Sequence, residues 1–243
     1  LNPPGVPYVY NSRDSFEAVN VGNSMNGYGM IISSSNPLSV TDAGLLFVYR
    51  SYNGGGSGEI GASFSPSGMG DTWEHTFNIN QGLSQQAGRY PSALGTDQYP
   101  YAIWNEYTVQ TSTYGGRPYY SFNQDGWNGW SYSNPEDIDP MWNPDKDLWA
   151  GSPAVSIDDD LHVINVAYDD WTRDDIYLLH SYSDEGGDGL SSDGEIMVID
   201  KDRFWSVDGN YTSTPVLDVN EDGIGYTSVT SYWADYPESV HAN

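Results

Sequence analysis

The chain has 243 residues, no Cys, and 34 acidic against eight basic residues, which gives a formal net charge of −26. This length fits one large domain, and a chain without Cys excludes disulfides and Cys-based metal or redox centres. The charge disfavours nucleic acid and anionic lipid surfaces as partners and favours cations or basic partners, although solubility alone would also account for it.

The first predicted strand is 14–21, and after it three landmarks return about every sixty residues, as expected of a repeat architecture. In each repeat a Pro opens a short alternating strand, because Pro is tolerated where no ladder N–H is required. An apolar and aromatic run of strand length follows, and then a Ser–aromatic pair before a Gly-bearing turn. The prolines are Pro37, Pro91, Pro153 and Pro215, the runs are 45–49, 101–104, 161–168 and 225–232, and the pairs begin at Ser63, Ser121 and Ser181.

These repeats predict an all-β chain, because units of this size bury their apolar faces only by stacking on their neighbours. We predict a β-propeller of four-stranded blades in one domain. The blades are predicted at 36–80, 90–134, 152–200 and 214–243, with strand 14–21 completing the last one. Two arrangements stay open: a closed four-bladed propeller, which removes exposed sheet edges, or part of a six- or seven-bladed one.

The turn after the third strand carries a family resemblance. The residues Gly70-Asp71-Thr72-Trp73 match the second half of the Asp box, Ser-x-Asp-x-Gly-x-Thr-Trp, and looser forms occur at 125–130 and 184–186. The chain therefore resembles the BNR/Asp-box, sialidase-like β-propeller repeat of secreted bacterial proteins. Pro66 and Gly68 stand where the box has Ser and Asp, so the resemblance supports the fold more than a function.

Sialidase activity, as the resemblance implies it, would require three Arg residues on the substrate carboxylate, a Tyr nucleophile with a Glu partner, and an acidic proton donor. The chain has six Arg. The segment 88–91, with Arg89, resembles the Arg-Ile-Pro segment of that family, and Arg50 would be able to join it. The scarcity of Arg nevertheless disfavours catalysis.

Aromatic residues recur after the second strand of each repeat and suggest a site for sugar, since sugar C–H faces stack on aromatic rings. For the set at the strand ends we favour packing between blades; for the set three residues later, packing and ligand binding stay open. The first set is Tyr49, Trp104, Tyr168 and Tyr232, and the second is Tyr52, Tyr107 and Trp171. With Arg89, the second set forms the predicted ligand site. If the protein hydrolyses glycans, the candidate carboxylates are Glu106, Asp169 and Asp170.

A calcium site is predicted at the turn 218–223, where oxygen ligands alternate and a Gly follows at the sixth position. The predicted ligands are Asp218, Asn220 and Asp222, with Asp158 and Asp160 at the matching turn of the preceding repeat. Val229 at the twelfth position excludes an EF-hand. The alternative is a polar hairpin turn without metal.

Abundant Tyr, Trp and Gly with few Lys indicate a secreted or cell-surface protein that is not inserted in a membrane. The favoured hypothesis is a non-catalytic propeller that binds glycan or protein partners and is stabilised by Ca²⁺. One alternative is a sialidase-like glycoside hydrolase. A second alternative is a structural subunit or cargo of an extracellular assembly.

Overall fold

The computed structural model describes residues 19–24, 35–52, 58–66, 68–83, 85–108, 116–129, 131–138, 148–158, 161–170, 175–183, 191–199, 211–220, 224–232 and 240–242. In this part of the chain the strands form four antiparallel sheets, and in each sheet sequence neighbours pair with one another. The predicted all-β class is confirmed. No helix in these ranges is long and apolar enough to cross a membrane.

Each sheet is a meander. The first contains β1 (Leu38–Thr41), β2 (Gly44–Arg50), β3 (Ile60–Ser65) and β4 (Glu74–Thr76). The second contains β5 (Gly88–Gly95), β6 (Pro100–Tyr107), β7 (Gly116–Phe122) and β8 (Glu136–Asp137), with a 3₁₀ turn at Gly126–Asn128. The third contains β9 (Leu148–Asp158), β10 (Leu161–Asp170), β11 (Asp175–Ser183) and β12 (Ser191–Ile199). The fourth contains β13 (Tyr211–Val219), β14 (Gly225–Tyr232) and β15 (Val240–Ala242).

Successive sheets pack on one another through their first strands. β5 contacts β1 and β2, β9 contacts β5 to β7, and β13 contacts β9 to β11. One apolar cluster, with Leu46, Phe64 and Trp127, fills the space between the first two sheets, and a second, with Phe122 and Tyr168, joins the second sheet to the third. Each such fully buried side chain contributes about 1.5–3 kcal/mol. The series is propeller-like, but among the described residues no comparable packing joins the fourth sheet to the first, so closure and blade number stay predictions.

The sequence predicted that each repeated Pro opens a strand. This holds only for Pro37, which directly precedes β1. Pro91, Pro153 and Pro215 lie inside β5, β9 and β13. The strand register shifts across Pro91 and across Pro215. All three strands are edges of their sheets, and a bulge or an edge tolerates a residue without an N–H donor.

The fourth strands of the first two sheets are short, whereas the fourth strand of the third sheet, β12, has nine residues. The segment 71–79 follows the Gly-bearing turn, where a four-stranded blade requires its fourth strand, but the strand there is only β4, and its counterpart β8 has two residues. Residues 19–24 pack on the first sheet, where Val21 O accepts from Ser63 Oγ at 2.5 Å and Asn23 O accepts from Tyr52 N at 2.9 Å. Residues 14–18 lie outside the described ranges, so completion of the last blade by strand 14–21 stays a prediction.

Antiparallel pairing gives the molecule two unlike ends. β2, β6 and β10 finish where β5 and β9 begin, and this region, with Arg50, Arg89, Glu106 and Trp149, is called the Arg89 end. The turns that connect β1 to β2 and β5 to β6 lie at the opposite end, called the turn end. The sequence therefore separates its predicted sites: the glycan candidates follow the second strands, and the metal candidates lie in the turns.

The turn end is built by the same chemistry in the first two sheets. The hydroxyls of Thr41 and Thr96 each accept from the N–H groups two and three residues later and donate to the carbonyl three residues later, at 2.9–3.3 Å. Trp127 lies buried between these turns and donates from Nε1 to Thr96 O at 2.9 Å. A Cβ on Gly44 would lie 2.6 Å from its ring, which explains the Gly.

The turn after β3, where residues 70–73 carry the family resemblance, is closed by Trp73. Trp73 Nε1 donates to Gly70 O at 3.0 Å, and Gly70 N donates to Ser65 Oγ at 3.2 Å, so a Ser one residue before Pro66 braces the hairpin. In the second sheet the Trp that fills the space between sheets is Trp127. Trp130, the residue that the sequence pattern favoured, lies outside the described ranges.

Candidate functional site

Glu106 is the hydrogen-bonding centre of the Arg89 end. Its side chain is 1% exposed. Oε2 accepts from Trp104 Nε1 at 2.9 Å and from Asn80 Nδ2 at 3.1 Å, and Oε1 accepts from the backbone N–H of Ala87. Burial raises the pKa of Glu106 above its ordinary value, and these three donors offset part of that effect. Both oxygens are occupied and shielded from solvent, so the carboxylate ties the local backbone together.

Asn80 extends this network to the first sheet. Its Nδ2 also donates to Gly58 O at 2.9 Å, and its Oδ1 accepts from Ile60 N at 2.9 Å. Gly58 O in turn accepts from Gly88 N at 2.8 Å. The start of β3, the segment before β5 and the end of β6 are therefore fixed to one another by buried polar contacts, which makes this end rigid.

Two guanidinium groups at this end interact through their charges, and one of them, Arg89, also acts on Glu106. Arg50 ends β2 and is buried, and Arg89 lies at the start of β5 and is half-buried. Burial first, and the neighbouring charge of Arg89 second, lower the pKa of Arg50 to about 10, while Tyr90 acts in the opposite direction. Arg89 Nη1 donates to Gly88 O at 3.2 Å and to Ala87 O at 3.4 Å. The pair is a local positive centre in a strongly acidic chain.

Three aromatic rings pack on one another at the same end of the sheets. Trp149, at the start of β9, packs edge-on against Tyr90, with 6.0 Å between ring centroids, and at a tilt against Tyr107, with 6.2 Å between ring centroids. Tyr107 and Tyr90 are half-buried and Tyr52 is exposed, so rings of both adjoining sheets reach the surface. Tyr90 has φ +47 at the bulge before Pro91, a strained conformation for a bulky residue.

Two members of the first aromatic set pack between sheets, as predicted: Trp104 lies in the cluster between the first two sheets, and Tyr168 lies in the cluster between the second and third. Tyr49, Trp104 and Tyr168 are buried, and Trp104 stacks on Tyr119 at 6.4 Å. The side chain of Tyr232 is not described. Of the second set, Tyr52 and Tyr107 lie at the Arg89 end with Arg89, and Trp171 lies outside the described residues.

Asp169 and Asp170 end β10, which places their backbone at the same end as Glu106; their side chains are not described. Sequence reasoning missed Trp149 and Tyr90 as parts of this cluster. Their positions near the starts of β5 and β9 would have predicted this placement. In a meander the start of the first strand and the end of the second strand lie at the same end of the sheet.

The predicted calcium turn has the geometry of a plain hairpin where it is described. Asn220 Oδ1 accepts from Ile224 N at 2.8 Å, and Asn220 N donates to Ile224 O at 3.0 Å. Asp218 is exposed. Asp222 and Asp160 lie outside the described residues, and Asp158 is described only as the last residue of β9. Among described residues no group of three or more His, Asp or Glu is placed to hold a metal ion, and the calcium hypothesis stays untested.

No family model matches the chain, and no curated protein matches it. Among solved structures it is similar to the NanB sialidase of Streptococcus pneumoniae, with a TM-score of 0.50 and 11% identity over 84% of this chain and 28% of that chain. It is also similar to an endo-1,4-beta-xylanase of Bacteroides thetaiotaomicron, with a TM-score of 0.44 and 12% identity over 81% of this chain and 64% of that one.

The chain thus spans little more than a quarter of the sialidase chain. At 11% identity the similarity concerns the fold alone, and it supports a propeller-type series of antiparallel sheets. The Asp-box repeat in particular stays a prediction.

Proposed function

We propose that this chain is a propeller-type glycoside hydrolase domain that recognises a carboxylate-bearing sugar at the Arg89 end. The Arg50–Arg89 pair carries the proposal. In a chain of net charge −26, Arg50 is a buried guanidinium whose pKa is lowered first by burial and second by the charge of Arg89, and such a pair of cations favours an anion as its ligand. A carboxylate between them would offset their repulsion through charge-assisted hydrogen bonds.

The aromatic cluster supports a sugar as the carrier of that carboxylate. Tyr90, Tyr107 and Trp149 lie beside Arg89, and the exposed ring of Tyr52 follows Arg50 by two residues. Rings next to polar groups provide the apolar surface on which the C–H faces of a pyranose stack. An inorganic anion would gain nothing from these rings.

The fold similarity to a sialidase supports cleavage over binding alone. Asp169 and Asp170, which follow β10 at this end, are the candidates for the acid and base of the reaction. Glu106 acts as a positioning residue, since its oxygens are held by Trp104 and Asn80. The composition leads us to place the protein outside the cell, where such glycans are found.

The test uses 3′-sialyllactose and tri-galacturonate as probes, each beside its methyl ester, which keeps the sugar and removes the charge. Binding is measured by calorimetry and cleavage by reducing-sugar release. We expect the acids to bind and the esters not to bind. Arg89→Ala should weaken binding of the acids about tenfold or more, since it removes a charge-assisted hydrogen bond. Arg89→Lys keeps the charge but loses the planar fork, so it should recover only part of the affinity.

Equal binding of acid and ester, or unchanged affinity in Arg89→Ala with an unaltered melting temperature, would contradict recognition of a carboxylate. Binding without cleavage would contradict the hydrolase and support the non-catalytic glycan-binding alternative. Loss of cleavage in Asp169→Asn or Asp170→Asn with binding retained would support those residues as the acid and base.

A further inference from the structure

A groove of about 530 Å³ lies on the outer rim of the first two sheets, away from the Arg89 pair. It runs between the segment that follows β4 and the segment that leads into β8, and it is called the rim groove. The side chains that matter for its chemistry are Thr76, Phe77, Asn78, Gln81, Tyr132 and Asn134. The two outermost strands are short here, and the groove occupies the space that longer strands would cover.

The rim groove is lined by uncharged groups. Hydroxyls, amides, Phe77 and Pro135 form its described walls, and none of these lining residues is an acid or a base. The chain as a whole has 34 acidic residues, and none of them is among the residues that line the groove. Such a lining favours a neutral ligand with many hydroxyl groups over an ion or a charged peptide.

Three buried polar atoms of the groove residues have no hydrogen-bond partner among the described residues: Thr76 Oγ1, Asn78 Oδ1 and Tyr132 OH. Buried polar atoms are nearly always satisfied, because leaving them without a partner is costly. Burial raises the pKa of Tyr132 far above its ordinary value, so its hydroxyl keeps its proton and is able to donate. Three such atoms belong to residues that line one groove, and small side-chain rotations would let a hydroxyl-bearing molecule in the groove satisfy them.

An exposed ring borders these polar atoms. Phe77 is 57% exposed, and its ring stacks on that of His75 at 6.3 Å, which leaves the Phe77 ring as an apolar platform at the groove. Asn78, the next residue, has φ +55, a left-handed conformation that Asn tolerates better than most residues. The backbone thus holds a stacking surface and an amide side by side.

The geometry points to the rim groove as a binding site for a neutral oligosaccharide, whose ring stacks on Phe77 and whose hydroxyls pair with Asn78, Thr76 and Tyr132. This site does not depend on the proposed function of the Arg89 end. The two are connected through the chain, since Asn80 lies two residues after Asn78 and donates to Glu106. A neutral stretch of a longer glycan is held at the rim while another part is presented elsewhere.

Calorimetric titration of the whole chain with neutral hexasaccharides of glucose, xylose and arabinose tests this site. We expect at least one of them to bind, and Phe77→Ala to weaken it about tenfold, since ring stacking is lost. The matched control is Tyr226→Ala, which removes a ring that is 82% exposed on β14 and should leave the affinity unchanged. Binding of none of the three sugars, or equal loss in both variants, would overturn the proposal.

Tyr132→Phe and Asn78→Gly separate a ligand role from a structural one. Tyr132→Phe removes an unsatisfied hydroxyl, and Gly keeps the positive φ of Asn78 without its amide. We expect both to weaken sugar binding with no fall in melting temperature. A higher melting temperature of Tyr132→Phe with unchanged affinity would show that the hydroxyl of Tyr132 does not bind the sugar. That result would overturn the proposal. Arg89→Ala should not change neutral-sugar binding, so failure at the Arg89 end is distinguishable from failure here.

Discussion

The two ends of the first two sheets differ in how closely they repeat. At the turn end, Thr41 and Thr96 make matching sets of hydrogen bonds in turns of matching length. At the Arg89 end the same sheets diverge, because Tyr49 and Arg50 end the second strand in one repeat while Glu106 and Tyr107 do so in the other.

This difference separates fold from site. A turn that connects paired strands must meet the same geometric demand in every repeat, so its chemistry recurs. The Arg89 end has a single network, in which Glu106 and Asn80 join segments of two sheets and the arginines lie beside it. An end that is asymmetric between repeats is where one ligand site is built on a repeated scaffold.

The largest expected effect is that of Glu106→Ala. It leaves Trp104 Nε1, Asn80 Nδ2 and the N–H of Ala87 without their acceptor, and we expect a loss of about 4 kcal/mol in the free energy of unfolding. Urea denaturation measures it. The control is Asp42→Ala, an exposed carboxylate at the turn end, with an expected change under about 0.5 kcal/mol. Equal small losses in the two variants would show that the Arg89 end is not held by Glu106.

A calcium site at the turn between β13 and β14 would distinguish it from the turns of the first two sheets, which are closed by the hydroxyls of Thr41 and Thr96. If Ca²⁺ binds at 218–223, a chelator lowers the melting temperature, and the stabilisation lost is about 2.7 kcal/mol when free Ca²⁺ is a hundred times its dissociation constant. Asp222→Ala should abolish the difference between melts with and without chelator. Identical melts of the unaltered protein would contradict a calcium site at this turn and support a plain hairpin, in which Asn220 Oδ1 accepts from Ile224 N.

The equivalence of the turns is tested by Thr41→Val and Thr96→Val. Each change keeps the shape of the side chain and removes the hydroxyl that closes the turn, at an expected cost of about 1–2 kcal/mol. Chemical denaturation of both variants checks whether the costs agree. A large loss in one variant and none in the other would mean that the turns are alike in geometry only.

The smallest expected effect is a change in pH dependence. The folded protein raises the pKa of Glu106 above its ordinary 4.5, so the folded state holds this proton more tightly than the unfolded state does. The contribution of this group to stability is full below the ordinary pKa and falls as the pH rises towards the folded value. Glu106→Gln should lose that part of the slope in denaturation measured from about pH 4 to 8. A steeper slope in the variant would contradict the direction.

Much of the fold was predictable because strand and turn signals are local. The second strands were expected at 45–49 and 101–104, and the structure places β2 and β6 over them. The interior prolines were predicted wrongly, because whether Pro91 opens a strand or lies in a bulge depends on the partner strand's register. The length of β4 likewise depends on contacts with residues that are distant in the sequence.

Part of the candidate site followed from the sequence as well. Arg89, Tyr107 and Glu106 were placed at one end because strand order fixes which ends meet. The hydrogen bonds that occupy both oxygens of Glu106 were not predictable, since one donor is Asn80, which lies in the segment between β4 and β5, 26 positions away in the sequence.

The sequence by itself determined the all-β class, the spacing of the repeated units and the set of residues that share an end, because alternation and turn chemistry act over a few residues. The tertiary structure decided that Glu106 is buried among three donors, that Arg50 and Arg89 interact, and that Phe77 borders an uncharged groove. These features arise where separate sheets meet, and burial and charge at such contacts depend on residues that are distant in the chain.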